Sequence, residues 1–237
     1  MVAALMSDWI SFYDFKHSVI YVNARHRDVH YRMIAEDIRG LIPSSSARVL
    51  DYGCGEATSA PLVAAACAKL ALAEAAPNVR AALTARHAGE PKIAVLTPDQ
   101  VAALPARSFD FIVMHSVAQY LSAAECERLL AMFRRLIADD GLVVIGDVVP
   151  PRLAAIAAAW ALIRFGAGNG FLGAAMLGLL RIFVSDYLRL KKTIGLSHYD
   201  EAAMLAKLAA AGFAARRAER NIGHNQSRMS FLCRPAN

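Results

Sequence analysis

The sequence predicts an α/β fold: a doubly wound, seven-stranded and mostly parallel sheet with its last strand antiparallel. Three observations support this. Short apolar runs alternate with helical stretches over residues 48–148. The helices carry start and stop residues. The connection between the last two strands is too short for a parallel crossover, so that pair is antiparallel. An N-terminal helical segment and a helical insertion after strand five complete the predicted fold.

The predicted strands are residues 48–51, 69–73, 93–96, 109–114, 142–145, 213–220 and 229–233. The fourth has no polar residue after Asp110, as expected for a strand covered on both faces. Pro61 and Pro77 stand in the first turns of helices, where a missing N–H costs little. Ser122 and Glu125 form a capping box, and Gly141 is expected to end that helix.

A chain of 237 residues is expected to form a single domain. It divides into an N-terminal helical cap (1–42), a binding core (43–148), an apolar helical insertion (149–196), and a C-terminal helix with the antiparallel pair (197–237). Residues 165–180 carry no charge. They are fewer than the roughly 20 apolar residues of a membrane span and contain several glycines, which favours a buried or interfacial hairpin.

The composition narrows the class of protein. A hydrophobic content of 57% excludes disorder of the whole chain. Four scattered cysteines without CxxC spacing indicate reduced thiols and no metal site. Residues 1–10 are not expected to be a signal peptide, because this apolar segment is short, lacks a basic region and carries Asp8. These features predict a cytoplasmic protein, with peripheral membrane contact left open by the net charge of +6.

The most informative segment is the one that runs from Val49 to Gly55, in which a strand ends in Asp51 and continues into two glycines. Glycines allow a sharp turn and close approach of the backbone to a ligand. Ligands of open α/β sheets bind at the carboxyl ends of strands, where this loop lies. Glu74 ends the second strand in the same way.

These residues resemble the first two motifs of the class I methyltransferase family, over residues 45–150 and more loosely 197–234. The resemblance implies S-adenosylmethionine as cofactor and S-adenosylhomocysteine as product. Gly53, Cys54 and Gly55 would wrap the methionine part, Asp51 would orient the ammonium group, and Glu74 would bind both ribose hydroxyls.

The sequence departs from the family at two positions. Ala57 replaces a third glycine, and Glu56 adds negative charge that would weaken binding if it faced the cofactor. Simpler interpretations also exist, because Asp51 could cap its own turn and Glu74 could be an exposed strand end. A nicotinamide dehydrogenase is disfavoured because the third glycine of GxGxxG is replaced by Thr58.

Further candidates follow the other strands. Asp99 or Gln100 is expected at the adenine, although Thr97 and Gln100 also form a capping box. The resemblance places His115 and Ser116 beside the cofactor and Gln119 or Tyr120 toward the acceptor.

The chain beyond the core adds groups for the acceptor. His224 and Asn225 follow the sixth strand, where a simple turn is equally compatible. In the N-terminal segment, Tyr21 is a substrate candidate, and His26 and His30 lie one helical turn apart. His224, His26 and His30 are the candidates for a general base. No third ligand accompanies the pair, so no metal is predicted.

The apolar insertion, including Trp160, suggests a small, hydrophobic and even lipid-like acceptor, although core or homodimer packing explains it equally well. Basic residues that flank it suit an anionic membrane surface. Nucleic acid is disfavoured because the basic charge forms no recognisable binding module. The alternative is a non-catalytic protein that binds S-adenosylmethionine or S-adenosylhomocysteine on the same fold.

Overall fold

A computed structural model describes residues 9–11, 13–14, 21–151, 155–182 and 197–236. Its sheet contains β1 Arg48–Tyr52, β2 Lys69–Ala73, β3 Ile93–Leu96, β4 Phe109–His115, β5 Ile137–Val148, β6 Phe213–Arg217 and β7 Met229–Pro235. The strand order is β3-β2-β1-β4-β5-β7-β6. β1 to β5 pair in parallel, and β7 is antiparallel to both β5 and β6. The predicted fold class is therefore confirmed.

The described helices are α1 Ala24–Leu41, α2 Ala60–Ala64, α3 Pro77–Arg86, α4 Pro98–Ala102, α5 Ala123–Leu136, α6 Ala155–Gly168, α7 Leu172–Ile182 and α8 Glu201–Ala210. Local capping explains several starts. Ser122 forms the predicted capping box with Glu125 at the start of α5. Asn23 accepts a hydrogen bond from the His26 N–H, so α1 begins before the predicted start near Asp28.

One predicted boundary is wrong. Gly141 does not end the helix, because α5 already ends at Leu136 and Gly141 lies within β5. The pairing of β4 with β5 shifts register there, which indicates a bulge. A Cβ on Gly141 would lie 2.7 Å from the Ile137 side chain and 3.0 Å from the Asp110 carbonyl. Glycine is thus required for close packing inside the strand.

Alternating residues of the central strands enter two hydrophobic cores. On one face, Ile112 and Met114 pack with residues of α5 and α8 such as Phe133 and Leu208. On the other face, Phe111 and Val113 pack in the cluster that includes residues of α1, α2 and α3. Both faces of the sheet are buried, as in doubly wound folds, so the polar groups that serve a site are left at the strand ends.

The insertion after β5 is a helical hairpin over its described part, as predicted, while residues 152–154 and 183–196 lie outside the described residues. Phe165, Phe171 and Ala175 form a third small core with Val22 and Val29 of the N-terminal segment. Within the described ranges, neither hairpin helix nor any other is long and apolar enough to cross a membrane.

Candidate active site

A cavity of about 870 Å³ opens at the carboxyl ends of the parallel strands. This volume is near the upper end of the range usual for small-molecule sites. The sequence-predicted residues that line it are Tyr21, His26, His30, Asp51, Gly53, Cys54, Gly55, Glu74, Asp99, His115, Ser116, Tyr120, His224 and Asn225. Gln100 and Trp160 are absent from its wall.

The glycine loop has no space for side chains. Gly53 and Gly55 adopt φ angles of 74° and 59°, which disfavour residues with a Cβ. A Cβ on Gly53 would overlap Val117, and one on Gly55 would lie 2.7 Å from the Tyr31 hydroxyl. Ala57 also adopts a left-handed φ, of 36°, so alanine occupies the third position at a cost in backbone strain. The backbone therefore forms a tight turn at the wall of the cavity.

Glu74 connects the end of β2 to the glycine loop. Its Oε2 accepts a hydrogen bond from the Gly55 N–H at 2.9 Å, and its Oε1 accepts one from the Ala76 N–H at 2.8 Å. The side chain is buried yet lines the cavity, so it is not merely an exposed strand end. Each carboxylate oxygen retains acceptor capacity, which suits a pair of ligand hydroxyls.

Asp51 lies close to Glu74 at the end of β1. Burial, and secondly the charge of Glu74, raise the pKa of Asp51 to about 7. A cation in the cavity would favour the ionised form of this acid. Burial, and secondly the charges of Asp51 and Glu74, raise the pKa of the Cys54 thiol, so Cys54 stays protonated.

Glu56 does not face the cavity, contrary to the concern raised by its position in the loop. Its carboxylate lies 3.6 Å from Arg27 and 4.0 Å from Arg86, which neutralise its charge. The Glu56 N–H donates to the Tyr31 hydroxyl at 3.0 Å. Tyr31 and Arg27 of α1 therefore anchor the glycine loop at Glu56, and the expected repulsion between Glu56 and the cofactor is removed.

The segment after β3 separates the two adenine candidates. The Gln100 side chain accepts from the Thr97 N–H at 2.8 Å, while the Gln100 N–H donates to the Thr97 hydroxyl at 3.1 Å. Gln100 is thereby committed to the capping box and lies outside the cavity wall, which corrects its assignment to the cofactor. Asp99 lines the cavity and remains the candidate.

Two histidines of α1 and one from the loop after β6 lie close together beside the cavity. The His26 ring lies 6.1 Å from His30 and 6.3 Å from His224, between centroids. Phe165 stacks on His224 at 4.4 Å, and Phe171 stacks on His26 at 5.0 Å. No set of three or more potential ligands in the described part of the chain is arranged to hold a metal ion.

Burial governs the protonation of this cluster. It lowers the pKa of His26 and of His224 to about 4, and that of His30 to about 3. All three rings are therefore neutral at pH 7. The Val22 N–H donates to His26 Nδ1 at 3.2 Å, which keeps the proton of that ring on Nε2. With pKa values of about 3 to 4, all three rings are weak bases at neutral pH, whereas a general base works best with a pKa near the pH of the reaction.

Sequence reasoning missed a largely buried ion pair in the wall of the cavity, between Asp147 and Arg228. Asp147 accepts hydrogen bonds from the Ser116 hydroxyl at 2.5 Å, from Asn221 at 3.2 Å, and from Arg228. Burial raises the pKa of Asp147, but Arg228 and His115 outweigh this effect and hold it below its usual value. The acid at the carboxyl end of β5 was the available signal.

The substrate candidates have different surroundings. The Tyr120 hydroxyl lies 2.9 Å from that of Tyr13, and its ring lies 4.3 Å from the Trp9 ring. Asn225 lines the cavity, and its side chain also accepts a hydrogen bond from the Ser227 N–H at 3.1 Å, so it stabilises the turn after β6. Trp160 is 57% exposed and outside the cavity wall, which corrects its assignment to the substrate. Ala158 and Leu162 of the same helix line the cavity instead.

Comparison with known proteins agrees with this arrangement. The methyltransferase-domain family matches residues 24–217. The chain therefore belongs to this family, and its fold is that of the class I S-adenosylmethionine-dependent methyltransferases. No curated protein sequence matches the chain significantly.

Solved structures resemble the chain in fold at low sequence identity. The DhpI-SAH complex is 14% identical with a TM-score of 0.64, covering 100% of this chain and 99% of that one. A Leishmania major SAM-dependent methyltransferase is 12% identical with a TM-score of 0.62, covering 97% and 82%. Human N-acetylserotonin methyltransferase in complex with SAM is 13% identical with a TM-score of 0.55, and the match covers 86% of this chain and 52% of the human one.

Proposed function

We propose that this protein binds S-adenosylmethionine along the glycine loop and transfers its methyl group to a small, hydrophobic acceptor in the same cavity. The observation that carries the proposal is the continuity of the cavity. One part is lined by Gly53, Gly55 and Glu74, and the other by aromatic and histidine side chains such as Tyr21 and His224. A cofactor and an acceptor would thus share one enclosed space.

In this proposal, each polar group of the cofactor half has a role. Asp51 orients the ammonium group, Glu74 accepts from the ribose hydroxyls, and Asp99 accepts from the adenine amino group. His115 and Ser116 line the wall where β4 ends, and Asp147 holds the Ser116 hydroxyl in place. When bound, S-adenosylmethionine supplies an activated methyl group, so the protein contributes chiefly alignment and exclusion of water.

The acceptor half combines apolar wall, neutral polar groups and the Asp147–Arg228 ion pair. Trp9, Tyr120 and Leu162 provide apolar wall, and the neutral rings of His30 and His224 provide hydrogen-bond partners. A neutral imidazole can orient a hydroxyl or amine of the acceptor by hydrogen bonding. Because the three histidine rings are neutral at pH 7, this cluster offers no charge that could pair with a charged acceptor.

Calorimetric titration with S-adenosylmethionine tests the cofactor assignment. We expect saturable binding by the wild type, strong weakening by Asp51→Ala, and no change in Asp139→Ala, whose side chain is exposed and outside the cavity. An acceptor screen with isotopically labelled methyl groups follows, using phenolic, quinone and lipid extracts. Absence of binding by folded wild type refutes the cofactor site. Binding without turnover across all extracts argues for the non-catalytic alternative.

A further inference from the structure

The hairpin of α6 and α7 has two different faces. Its inner face packs on the N-terminal segment through Phe165 and Phe171, and it supplies Leu162 to the cavity wall. A Cβ on Gly178 would overlap Val22, so α7 lies directly against that segment. Arg25 donates to the carbonyl of Asn169 at the tip of the hairpin. The inner face is fully engaged in the fold.

The outer face is apolar and exposed to solvent. Ile156 is 70% exposed and Trp160 is 57% exposed, and they lie one turn apart on α6. Leu180 on α7 is 66% exposed. The large hydrophobic residues that are exposed in the described ranges all belong to this hairpin: Ile156, Trp160, Leu172, Met176, Leu177 and Leu180. Contiguous patches of this kind mark interaction surfaces.

Charge in the same segment points to the kind of partner. Residues 149–196 contain six basic residues and one acidic residue, Asp186. This fifth of the chain therefore holds nearly all of the net charge of +6. Arg164 is exposed on α6 one turn from Trp160. An apolar face with an aromatic residue and adjacent basic residues is the pattern of helices that lie in the headgroup region of anionic membranes.

We propose that the outer face of the α6–α7 hairpin docks on an anionic lipid surface. The partner is a bilayer rather than a second copy of the chain, because residues 155–182 carry Arg164 and Arg181 and no acidic residue, so a twofold contact between two hairpins would bring like charges together. Docking concerns the outer face, whereas the cofactor site lies behind the inner face. Membrane binding and cofactor binding are therefore separable in experiment.

Vesicle flotation of the full chain tests the proposal. We expect binding to phosphatidylcholine vesicles that contain phosphatidylglycerol, at least about tenfold weaker binding to pure phosphatidylcholine, and loss of binding at about 1 M salt. Trp160→Gln/Leu180→Gln should reduce partitioning by at least about tenfold, because both exposed side chains would enter the interface. Arg164→Gln should weaken binding only to the anionic vesicles.

The control is Ala81→Gln/Ala85→Gln, which changes two exposed positions on α3. It should float like the wild type, and every variant should bind S-adenosylmethionine with unchanged affinity. Wild type that does not float, or a Trp160→Gln/Leu180→Gln variant that floats normally, overturns the proposal. So does a dimer in sedimentation velocity that the same two substitutions dissociate without any vesicle binding.

Discussion

Replacing Glu74 with alanine tests the site most directly, because this carboxylate belongs both to the loop and to the proposed ribose contact. A hydrogen bond to a charged group contributes about 1.5–3 kcal/mol. Loss of two such bonds, one for each ribose hydroxyl, corresponds to a Kd for S-adenosylmethionine that is weaker by about 10²- to 10⁴-fold. The variant also leaves the N–H groups of Gly55 and Ala76 without their present acceptor.

The second effect is a loss of stability, which must be separated from the loss of binding. An unsatisfied buried donor costs about 1–3 kcal/mol. In a chain of this size, each kcal/mol lowers Tm by about 2–4 °C. Calorimetry should therefore be performed well below the measured Tm of the variant. Glu219→Ala, at an exposed position, is the matched control and should change neither Kd nor Tm.

A ligand lacking one ribose hydroxyl distinguishes direct contact from collapse of the loop. Wild type should bind deoxyribose S-adenosylhomocysteine about 10- to 100-fold more weakly than the normal product, since one hydrogen bond to a charge is lost. Glu74→Ala should not discriminate between the two ligands. Equal affinity of both ligands for wild type, or an unchanged Kd in a folded Glu74→Ala variant, refutes the ribose assignment.

Three further predictions address other parts of the site. Gly53→Ala should weaken S-adenosylmethionine binding, because its Cβ would overlap Val117 at a left-handed φ, and adding Val117→Ala should restore part of the affinity in calorimetry. The affinity for S-adenosylmethionine should fall by up to about tenfold per pH unit as pH decreases below 7, because Asp51, with its pKa of about 7, must lose its proton to pair with the ammonium group. Asp51→Asn should remove this pH dependence. A wild-type Kd that is constant from about pH 5 to 7 contradicts the assignment. Asp147→Asn should destabilise the fold by about 3–5 kcal/mol because it removes the carboxylate charge that pairs with the largely buried Arg228. Asp139→Asn, in an exposed pair, should cost about 0–1 kcal/mol in thermal unfolding.

Local chemistry explains why much of the fold was predictable. The apolar runs of the strands are continuous because the sheet is covered on both faces, as Phe111 and Ile112 show by entering opposite cores. The capping box at Ser122 and the short connection before β7 depend only on neighbouring residues. The wrong boundary at Gly141 arose because glycine ends helices often, whereas here close packing against Asp110 decided its place.

The residues of the proposed cofactor half could also be predicted from positions close together in the sequence or at the ends of adjacent strands. Asp51, Gly53 and Gly55 follow one another in a single strand-to-loop segment, and Glu74 ends the adjacent strand. Parallel neighbours place their carboxyl ends side by side, so the sequence alone brings these groups together. What it could not show was the hydrogen bond from Gly55 to Glu74, which requires the register of the two strands.

By itself, the sequence determined the fold class, the family resemblance and which residues lie together at the glycine loop, because these depend on periodicity, capping and adjacency along the chain. Only the tertiary structure decided the remainder. It grouped His26, His30 and His224 and made them neutral by burial. It paired Asp147 with Arg228, and it turned Trp160 outward while Leu162 faced the cavity. Such outcomes depend on contacts between distant segments and on the water that those contacts exclude, which no local pattern records.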